Sequence, residues 1–134
     1  MNAHVVLITF AIDSPESFLN VSTKVCVHHA PFFPDIINNG SSRSQWYPEA
    51  RRTCGPHVPI LLVGCKSDLR DGSPPAFCMV PREEAETVAY RLNLKGYYEC
   101  SSFRVEGLSE VIEEAARASL EVAHEQTGMR CVIC

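Results

Sequence analysis

Hydrophobic and polar positions along the chain divide it into three apolar runs and three helical patterns. The apolar runs are HVVLITFAI at residues 4–12, VPILLVG at 58–64 and GYYEC at 96–100. The first two are continuous rather than alternating, which is typical of strands in a parallel sheet that is covered on both faces. We therefore predict three strands, His4 to Ile12, Val58 to Gly64 and Gly96 to Cys100, the first two in the interior of a parallel sheet.

Helical patterns follow the second and third strands. Between residues 81 and 93 apolar residues recur at helical spacing, Pro81 suits the first helical position, and Glu83 and Glu84 favour the first turn. A second helix is predicted from Gly107 to His124, with a stripe that packs on the sheet. This stripe contains Leu108, Val111, Ile112, Ala115, Ser119 and Val122. Alternation of strands and helices predicts an α/β fold with a parallel sheet.

The helical pattern after the first strand is interrupted. Ser14 and Pro15 form a helix start signal, but prolines and an Asn-Gly pair between residues 25 and 45 exclude a continuous helix. Removing residues 25–45 on paper joins the two parts and restores one apolar stripe. The restored stripe contains Phe18, Val21, Trp46 and Ala50. We hypothesise that residues 25–45 are an inserted loop from a retained in-frame intron, which codons other than GTN at residue 25 or CAG at residue 45 would contradict.

Composition narrows the class of protein. The chain has 134 residues, enough for one domain, and its 46% hydrophobic and 21% charged residues are typical of soluble globular proteins. A net charge of −4 argues against binding to a nucleic-acid backbone, so we expect no nucleic-acid partner. Seven cysteines without regular spacing favour a reducing cytoplasm over a disulfide framework. The five histidines lack the helical spacing of a metal site, so no metal ligands are predicted.

Candidate chemistry lies just beyond the second and third predicted strands, where parallel α/β sheets bind ligands. Asp68 can accept two parallel hydrogen bonds from a ring N–H and an exocyclic NH₂, a pair that guanine offers and adenine does not. Lys66 can lay its methylene stem along a flat base, and backbone N–H groups around Ser101 and Ser102 can receive a base carbonyl. Alternatively, Lys66 and Asp68 are ordinary loop residues, with Asp68 in an Asx turn, and the short motif alone favours this alternative.

Apart from residues 25–45, nearly the entire chain resembles the Rho family of small GTPases. The matching segments are VVLITFAIDSPESF, WYPEA, VPILLVGCKSDLR, VPREEAETVA, GYYECSS and the terminal CVIC. The resemblance implies a P-loop GTPase fold, a GTP/GDP-binding switch in signal transduction, Mg²⁺ as a cofactor, and Rho regulators and effectors as partners. It also implies a guanine-base site. The residues of that site are Cys65, Lys66, Asp68, Ser101 and Ser102.

The chain departs from the family pattern in several places. Cys65 replaces the usual Asn, Phe103 replaces the usual Lys, and the loop from Asp71 to Met79 is too short for the helical insert typical of Rho proteins. No G-x-x-x-x-G-K-[ST] occurs and no Asp-x-x-Gly precedes the first strand, so the parts that hold phosphates and Mg²⁺ and position water are missing.

From these absences we expect residues 1–126 to form the C-terminal half of a Rho-type domain, a partial P-loop fold without its first strands. The family's sheet order then leaves the first predicted strand with an open edge. Because catalysis of phosphoryl transfer depends on the missing parts, no catalytic residue and no Mg²⁺ ligand are assigned. We predict no GTP hydrolysis by this chain alone.

Residues 127–134 form a predicted flexible tail that ends in Cys131-Val132-Ile133-Cys134, the Cys-aliphatic-aliphatic-X pattern of prenylation. We predict a prenyl group on Cys131, with the isoprenoid left open. Weak attachment to the cytoplasmic face of membranes follows from the shortage of basic residues nearby. The rival interpretation is a redox or metal pair of Cys131 and Cys134. For the whole chain, the alternatives are a non-catalytic prenylated interaction fragment and an incomplete gene product.

Overall fold

The computed structural model describes residues 3–21, 45–72 and 79–127, and its elements alternate as the hydrophobic pattern predicts. The strands are β1 (Val6–Ala11), β2 (Ile60–Cys65) and β3 (Gly96–Cys100). The helices are α1 (Pro15–Leu19), α2 (Trp46–Cys54), α3 (Arg82–Arg91) and α4 (Leu108–Thr127). A short 3-10 helix at Ser67–Asp71 follows β2. All three predicted strands are therefore present. The first is shorter than predicted at both ends, and the second begins two residues later and ends one residue later than predicted.

The strands form a parallel sheet in the order β1-β2-β3, which confirms the predicted α/β sheet. β2 is the central strand and is buried from Ile60 to Gly64, as its continuous apolar run predicts. β1 differs, because its residues alternate between buried and exposed positions and Leu7 is 42% exposed. The predicted burial of both faces is wrong for β1, since it lies at the edge of the described sheet and only one face packs on the main core.

Hydrophobic residues pack on both faces of the sheet. The main core joins β1 and β2 to α1 and α3, and the ring centroids of Phe10 and Phe18 lie 4.8 Å apart in it. A smaller cluster on the other face contains Val63, Cys100 and Val111. Adjacent residues of β2 enter different clusters because successive side chains of a strand point to opposite faces. The helices thus cover the two faces of β2.

The packed face of α4 differs from the prediction at two positions. Val111 and Val122 are buried as predicted, but Ala118, which was outside the predicted stripe, is also buried, and Ile112 is 66% exposed, so its place in the stripe is wrong. Successive residues of an α-helix are about 100° apart around the axis, which turns Ile112 away from the sheet once Val111 faces it.

The starts of α1 and α3 test two cap predictions. Ser14 caps α1, since its Oγ accepts the N–H of Ser17 at 3.3 Å, and Pro15 is the first helical residue, as predicted. In α3, Pro81 has an extended backbone and is the N-cap, so the helix begins one residue later than predicted. Glu83 lies in the first turn of α3, where its charge is favourable.

Helices α1 and α2 meet across the predicted insert. The N–H of Trp46 donates to the carbonyl of Asn20 at 2.9 Å, and the N–H of Tyr47 donates to that of Val21 at 3.1 Å. These bonds hold the two flanks of residues 25–45 together, as an inserted loop requires. Trp46 is 53% exposed, and Tyr47 packs against the core where the restored stripe predicted Trp46. Apart from its last residue, the predicted insert lies outside the described residues, so its boundaries and origin stay a prediction.

The predicted tail at 127–134 lies outside the described residues except for Thr127, the last residue of α4. The prenylation of Cys131 therefore stays a prediction. Within the ranges that the structure describes, no helix has both the length and the apolar character that crossing a membrane requires.

Candidate functional site

The carboxyl ends of the three strands meet at one edge of the sheet. By register, Ala11 at the end of β1 lies beside Cys65 at the end of β2, and Cys65 lies beside Cys100 at the end of β3. The residues that follow the strands, among them Asp13 and Lys66, therefore come to the same edge. This is the position at which parallel α/β sheets bind ligands.

Asp68 and Ser101 are brought together as the sequence predicts. The Ser101 hydroxyl donates to Oδ1 of Asp68 at 2.5 Å, and its oxygen accepts the N–H of Arg104 at 3.1 Å. Ser101 is fully buried, so this bond fixes the Asp68 carboxylate against the end of β3. Among the described residues, no hydrogen-bond donor engages Oδ2 of Asp68.

The backbone of Ser101 is already paired. Its N–H donates to the carbonyl of Glu106 at 2.9 Å, and the N–H of Glu106 donates to the carbonyl of Ser101 at 3.1 Å. These two bonds close the turn at 102–105. The N–H of Ser101 itself is therefore occupied, and the prediction that backbone N–H groups around Ser101 and Ser102 receive a base carbonyl stays a prediction. Ser102 lies exposed in the turn, where its side chain reaches solvent.

Gly107 allows the chain to pass close to β3 after this turn. Its φ is +72°, and a Cβ at this position would lie 2.3 Å from the carbonyl oxygen of Glu99. Glycine is the residue that adopts such a backbone without steric cost. The close approach holds Glu106 opposite Ser101 and so supports the geometry around Asp68.

Lys66 lies at the same edge, with a left-handed backbone of φ 66° and ψ 38°. Its Nζ donates to both carboxylate oxygens of Asp13, at 2.8 and 3.0 Å. The Lys66 side chain is 55% exposed, so this surface ion pair orients the lysine without contributing much stability. Sequence reasoning missed Asp13, although it could have been found because it comes two residues after the end of β1 and parallel strands end at the same edge.

The 3-10 helix that carries Asp68 is anchored to β3 by Arg70. Its guanidinium donates to the two carboxylate oxygens of Glu99 at 2.5 and 2.9 Å and to the carbonyl of Val80 at 3.0 Å. The Tyr97 hydroxyl donates to the same carboxylate at 2.7 Å. Sequence reasoning missed this network, because neither a motif nor a spacing relates Arg70 to Glu99.

The electrostatics of this network follow from its burial. Burial favours a raised pKa of Glu99, but the hydrogen bonds from Arg70 and Tyr97 and the charge of Arg70 outweigh it, so the pKa is lowered. The pKa of Tyr97 is raised, mainly by burial and further by the neighbouring Glu99 carboxylate. Glu99 is thus charged and Tyr97 is neutral over the physiological pH range. The charged carboxylate keeps Arg70, and with it the segment that carries Asp68, in place.

Two cysteines end the neighbouring strands beside this segment. Cys65, a predicted site residue, is half-buried and lies opposite Cys100, which is 7% exposed. Burial and the neighbouring Cys65 raise the pKa of Cys100 to about 11. The structure therefore places Cys65, Lys66, Asp68 and Ser101 together, with Ser102 at the exposed margin. Within the described ranges, no group of three or more His, Cys, Asp or Glu side chains could hold a metal ion.

Comparisons with known proteins match this chain to one family. A sequence model described as the Ras family matches residues 33–121. The chain is 36% identical to "GTP-binding protein rho2" of Schizosaccharomyces pombe over 142 residues, which covers 98% of this chain and 60% of that protein. It is 36% identical to "GTP-binding protein RHO2" of Saccharomyces cerevisiae over 135 residues, which covers 98% of this chain and 59% of that protein. It is 34% identical to "GTP-binding protein RHO1" of Candida albicans over 140 residues, which covers 98% of this chain and 60% of that protein. The chain thus spans about three fifths of the length of these relatives.

Proposed function

Because this chain belongs to the Ras family, as a Rho-type small GTPase, we propose that it binds the guanine base of GDP or GTP through Lys66, Asp68 and Ser101. The observation that carries the proposal is the Asp68 carboxylate, which buried Ser101 holds at the end of the sheet. Oδ2 has no described donor, and Oδ1 keeps a second lone pair beside the Ser101 bond. Both oxygens can therefore accept the paired N–H groups of guanine.

Each residue has a separate part in this proposal. Asp68 selects guanine, because adenine lacks the ring N–H that the second carboxylate oxygen requires. Lys66 lies along the base and ribose with its methylene stem, while Asp13 holds its ammonium. Ser101 orients Asp68, and the exposed turn that contains Ser102 offers a backbone N–H to the base carbonyl. Cys65 ends β2, at the position where the family resemblance implies Asn as the usual residue.

We further propose that these 134 residues bind nucleotide without hydrolysing GTP. The sequence contains no G-x-x-x-x-G-K-[ST] segment, and catalysis of phosphoryl transfer depends on positioning and charge stabilisation at that loop and at Mg²⁺. Affinity is expected to be low for the same reason, since the phosphates have no partner among the proposed residues. Switching between GTP and GDP states, with Rho regulators and effectors as partners, is proposed for the complete protein.

Titration of a fluorescent GDP analogue against the purified chain tests base binding, with circular dichroism on the same sample to establish that it is folded. We expect saturable binding that Asp68→Asn weakens by about tenfold or more, since hydrogen bonds to a charged group contribute about 1.5–3 kcal/mol each. Asp71→Asn is the matched control, because Asp71 ends the same 3-10 helix but is exposed and pairs with Arg104. We expect its affinity to stay within about twofold of the parent chain.

Two outcomes would contradict the proposal. A folded chain that binds no nucleotide would exclude the base site, and equal losses in Asp68→Asn and Asp71→Asn would exclude the assigned role of Asp68. GTP turnover that follows the purified chain and disappears in Asp68→Asn would contradict the expected lack of hydrolysis.

The alternative function, a non-catalytic interaction fragment, is favoured by the open side of β1. A cleft of about 420 Å³ lies between β1 and α2, and Leu7 and Trp46 expose apolar surface to it. Exposed apolar surface at a strand edge is typical of sites that associate with other chains. A folded chain that stays soluble and binds no nucleotide in the same titration would support this alternative.

We also propose that Cys131 carries a prenyl group, which attaches the protein weakly to the cytoplasmic face of membranes. Protein molecules that are not attached stay in the cytoplasm. The sequence pattern supports this proposal, since the last four residues are Cys-Val-Ile-Cys. A single lipid chain without a basic cluster binds membranes reversibly.

Incubation of the full chain with a prenyltransferase and its isoprenoid diphosphate is expected to add the mass of one isoprenoid. Cys131→Ser should remove this gain because it removes the thiol that is alkylated. Cys134→Ser is the matched control and should retain it, because serine is accepted at the last position of the pattern. A mass gain that persists in Cys131→Ser, or no gain in the parent chain, would contradict the proposal.

A further inference from the structure

We propose that Cys65 and Cys100 form a reversible redox pair that a peroxide oxidises to a disulfide. No disulfide joins the described cysteines, and both thiols are free. The pair lies at the carboxyl ends of β2 and β3, next to the residues assigned to the base site. The oxidant class is a hydroperoxide, and the reductant class is a dithiol.

The register of the sheet makes this bond geometrically accessible. Cys65 is the direct partner of Cys100 across parallel strands, and Cys65 packs against the small core cluster that contains Cys100. Neighbouring strands lie about 4.7–4.9 Å apart, which falls within the range of about 4.4–6.8 Å between Cα atoms that disulfides bridge. Each cysteine is the last residue of its strand, and the backbone bonds nearest to the pair are those from Ile12 to the Cys65 carbonyl and between Ser101 and Glu106.

The two thiols differ in exposure, which sets the order of reaction. Cys65 is half-buried and can meet a peroxide, whereas Cys100 is 7% exposed. Burial also keeps Cys100 protonated, since its pKa is raised to about 11. Because the thiolate is the reactive form, Cys65 reacts first and Cys100 resolves the product.

The chemistry balances in two steps. The Cys65 thiol first loses its proton, and the thiolate attacks the terminal oxygen of the hydroperoxide, so that an S–O bond forms and the O–O bond breaks. The leaving alkoxide, or hydroxide from hydrogen peroxide, takes up the proton that the thiol released and departs as alcohol or water. Cys100 sulfur then attacks Cys65 sulfur, so that the S–S bond forms, the S–O bond breaks and the departing hydroxide takes the Cys100 proton as water. In sum, two thiols lose two electrons and two protons to the peroxide. A dithiol restores both thiols by two exchange steps.

Oxidation has a consequence for the base site, and this consequence rests on the proposed function. Cys65 directly precedes Lys66, and Cys100 directly precedes Ser101, which holds Asp68. A disulfide displaces the strand ends that position both, so we expect the affinity for a fluorescent GDP to fall by at least about fivefold on oxidation, the lower end of typical coupling between sites.

Peptide mapping tests the disulfide without any nucleotide. Trypsin releases Cys65 in residues 53–66, which also contain Cys54, and Cys100 in residues 96–104. The full chain is therefore prepared with Cys54→Ser, treated with hydrogen peroxide, blocked with an alkylating reagent, digested and analysed by mass spectrometry. We expect residues 53–66 joined to residues 96–104, with the link lost after dithiothreitol treatment. Nucleotide affinity is then compared before and after oxidation.

The controls separate this pair from general oxidation of the seven cysteines. Cys65→Ser should abolish the link and leave Cys100 open to alkylation after unfolding, and the parent chain with Cys54 intact should form the same link. Recovery of both peptides as separate alkylated thiols would overturn the proposal, as would oxidation of Cys65 to a sulfinic acid without a link. If neither redox form binds nucleotide, the base-site proposal fails while the mapped disulfide stands.

Discussion

Replacing Phe18 with alanine is expected to lower the free energy of unfolding by about 3–5 kcal/mol, the range for removing a buried aromatic side chain. Phe18 is 1% exposed and packs tilted against Phe10 in the core between α1 and the sheet. Domains of this size are stable by about 5–15 kcal/mol, so this loss removes a large part of the stability. It also loosens β1, which ends two residues before Asp13.

Urea denaturation followed by circular dichroism measures this effect. Phe103→Ala is the matched control, because Phe103 is 86% exposed in the turn after β3. We expect its free energy of unfolding to stay within about 0.5 kcal/mol of the parent chain. Equal denaturation midpoints for Phe18→Ala and Phe103→Ala would contradict the assigned core.

Replacing Glu99 with alanine is expected to lower the free energy of unfolding by about 2–3 kcal/mol, somewhat less than the loss for a fully buried ion pair. Breaking a fully buried ion pair costs about 3–5 kcal/mol because an unpaired charge is left behind. Here the Glu99 side chain is 7% exposed but that of Arg70 is 26% exposed, so water screens part of the loss. The variant also leaves the Tyr97 hydroxyl without its acceptor.

The effect of Glu99→Ala depends on pH, since the pKa of Glu99 is lowered from its ordinary value of 4.5. A lowered pKa stabilises the folded state fully above pH 4.5 and loses this effect as the pH falls through the folded pKa. The difference between the parent chain and Glu99→Ala should therefore be largest near pH 7 and shrink below pH 4.5. Urea denaturation at several pH values between 7 and 3 measures it.

Glu86→Ala is the matched control for this experiment. Glu86 pairs with Arg82 at 3.0 Å on the surface of α3, where both side chains are more than half exposed. Exposed ion pairs contribute little to stability, so we expect the free energy of unfolding to change by no more than about 0.5 kcal/mol. A Glu99→Ala variant as stable as Glu86→Ala at pH 7, or a difference that grows in acid, would show that Glu99 is not the anchor of Arg70.

The Glu99 network also bears on the base site. Arg70 lies in the same 3-10 helix as Asp68, and its bonds to Glu99 and Val80 hold that helix against β3. We infer that the base site depends on a buried ion pair that does not touch the proposed ligand. The five-residue 3-10 helix Ser67–Asp71 makes few bonds of its own, so its order depends on side-chain bonds such as these and the one between Asp68 and Ser101.

Local patterns in the sequence were enough for the strands, the helices and the cap of α1. They succeed because burial has the period of the element that carries it, 2.0 for strands and 3.6 for helices. They also bring Lys66, Asp68 and Ser101 to one edge, since parallel strands end together. The apolar run of β1 was misleading by itself, because it indicates an interior strand, whereas the open edge predicted from the family's sheet order agrees with the position of β1 at the edge of the described sheet.

The sequence by itself determined the α/β class, the parallel sheet and the family, because these follow from periodicity and from short segments that match it. Only the tertiary structure decided that Asp13 holds Lys66, that Glu99 anchors Arg70, and that Glu106 occupies the Ser101 N–H. It likewise decided that Cys65 faces Cys100. The physical reason is that these partners are 5 to 53 positions apart. Their contacts depend on strand register and on turn closure, which no local pattern encodes.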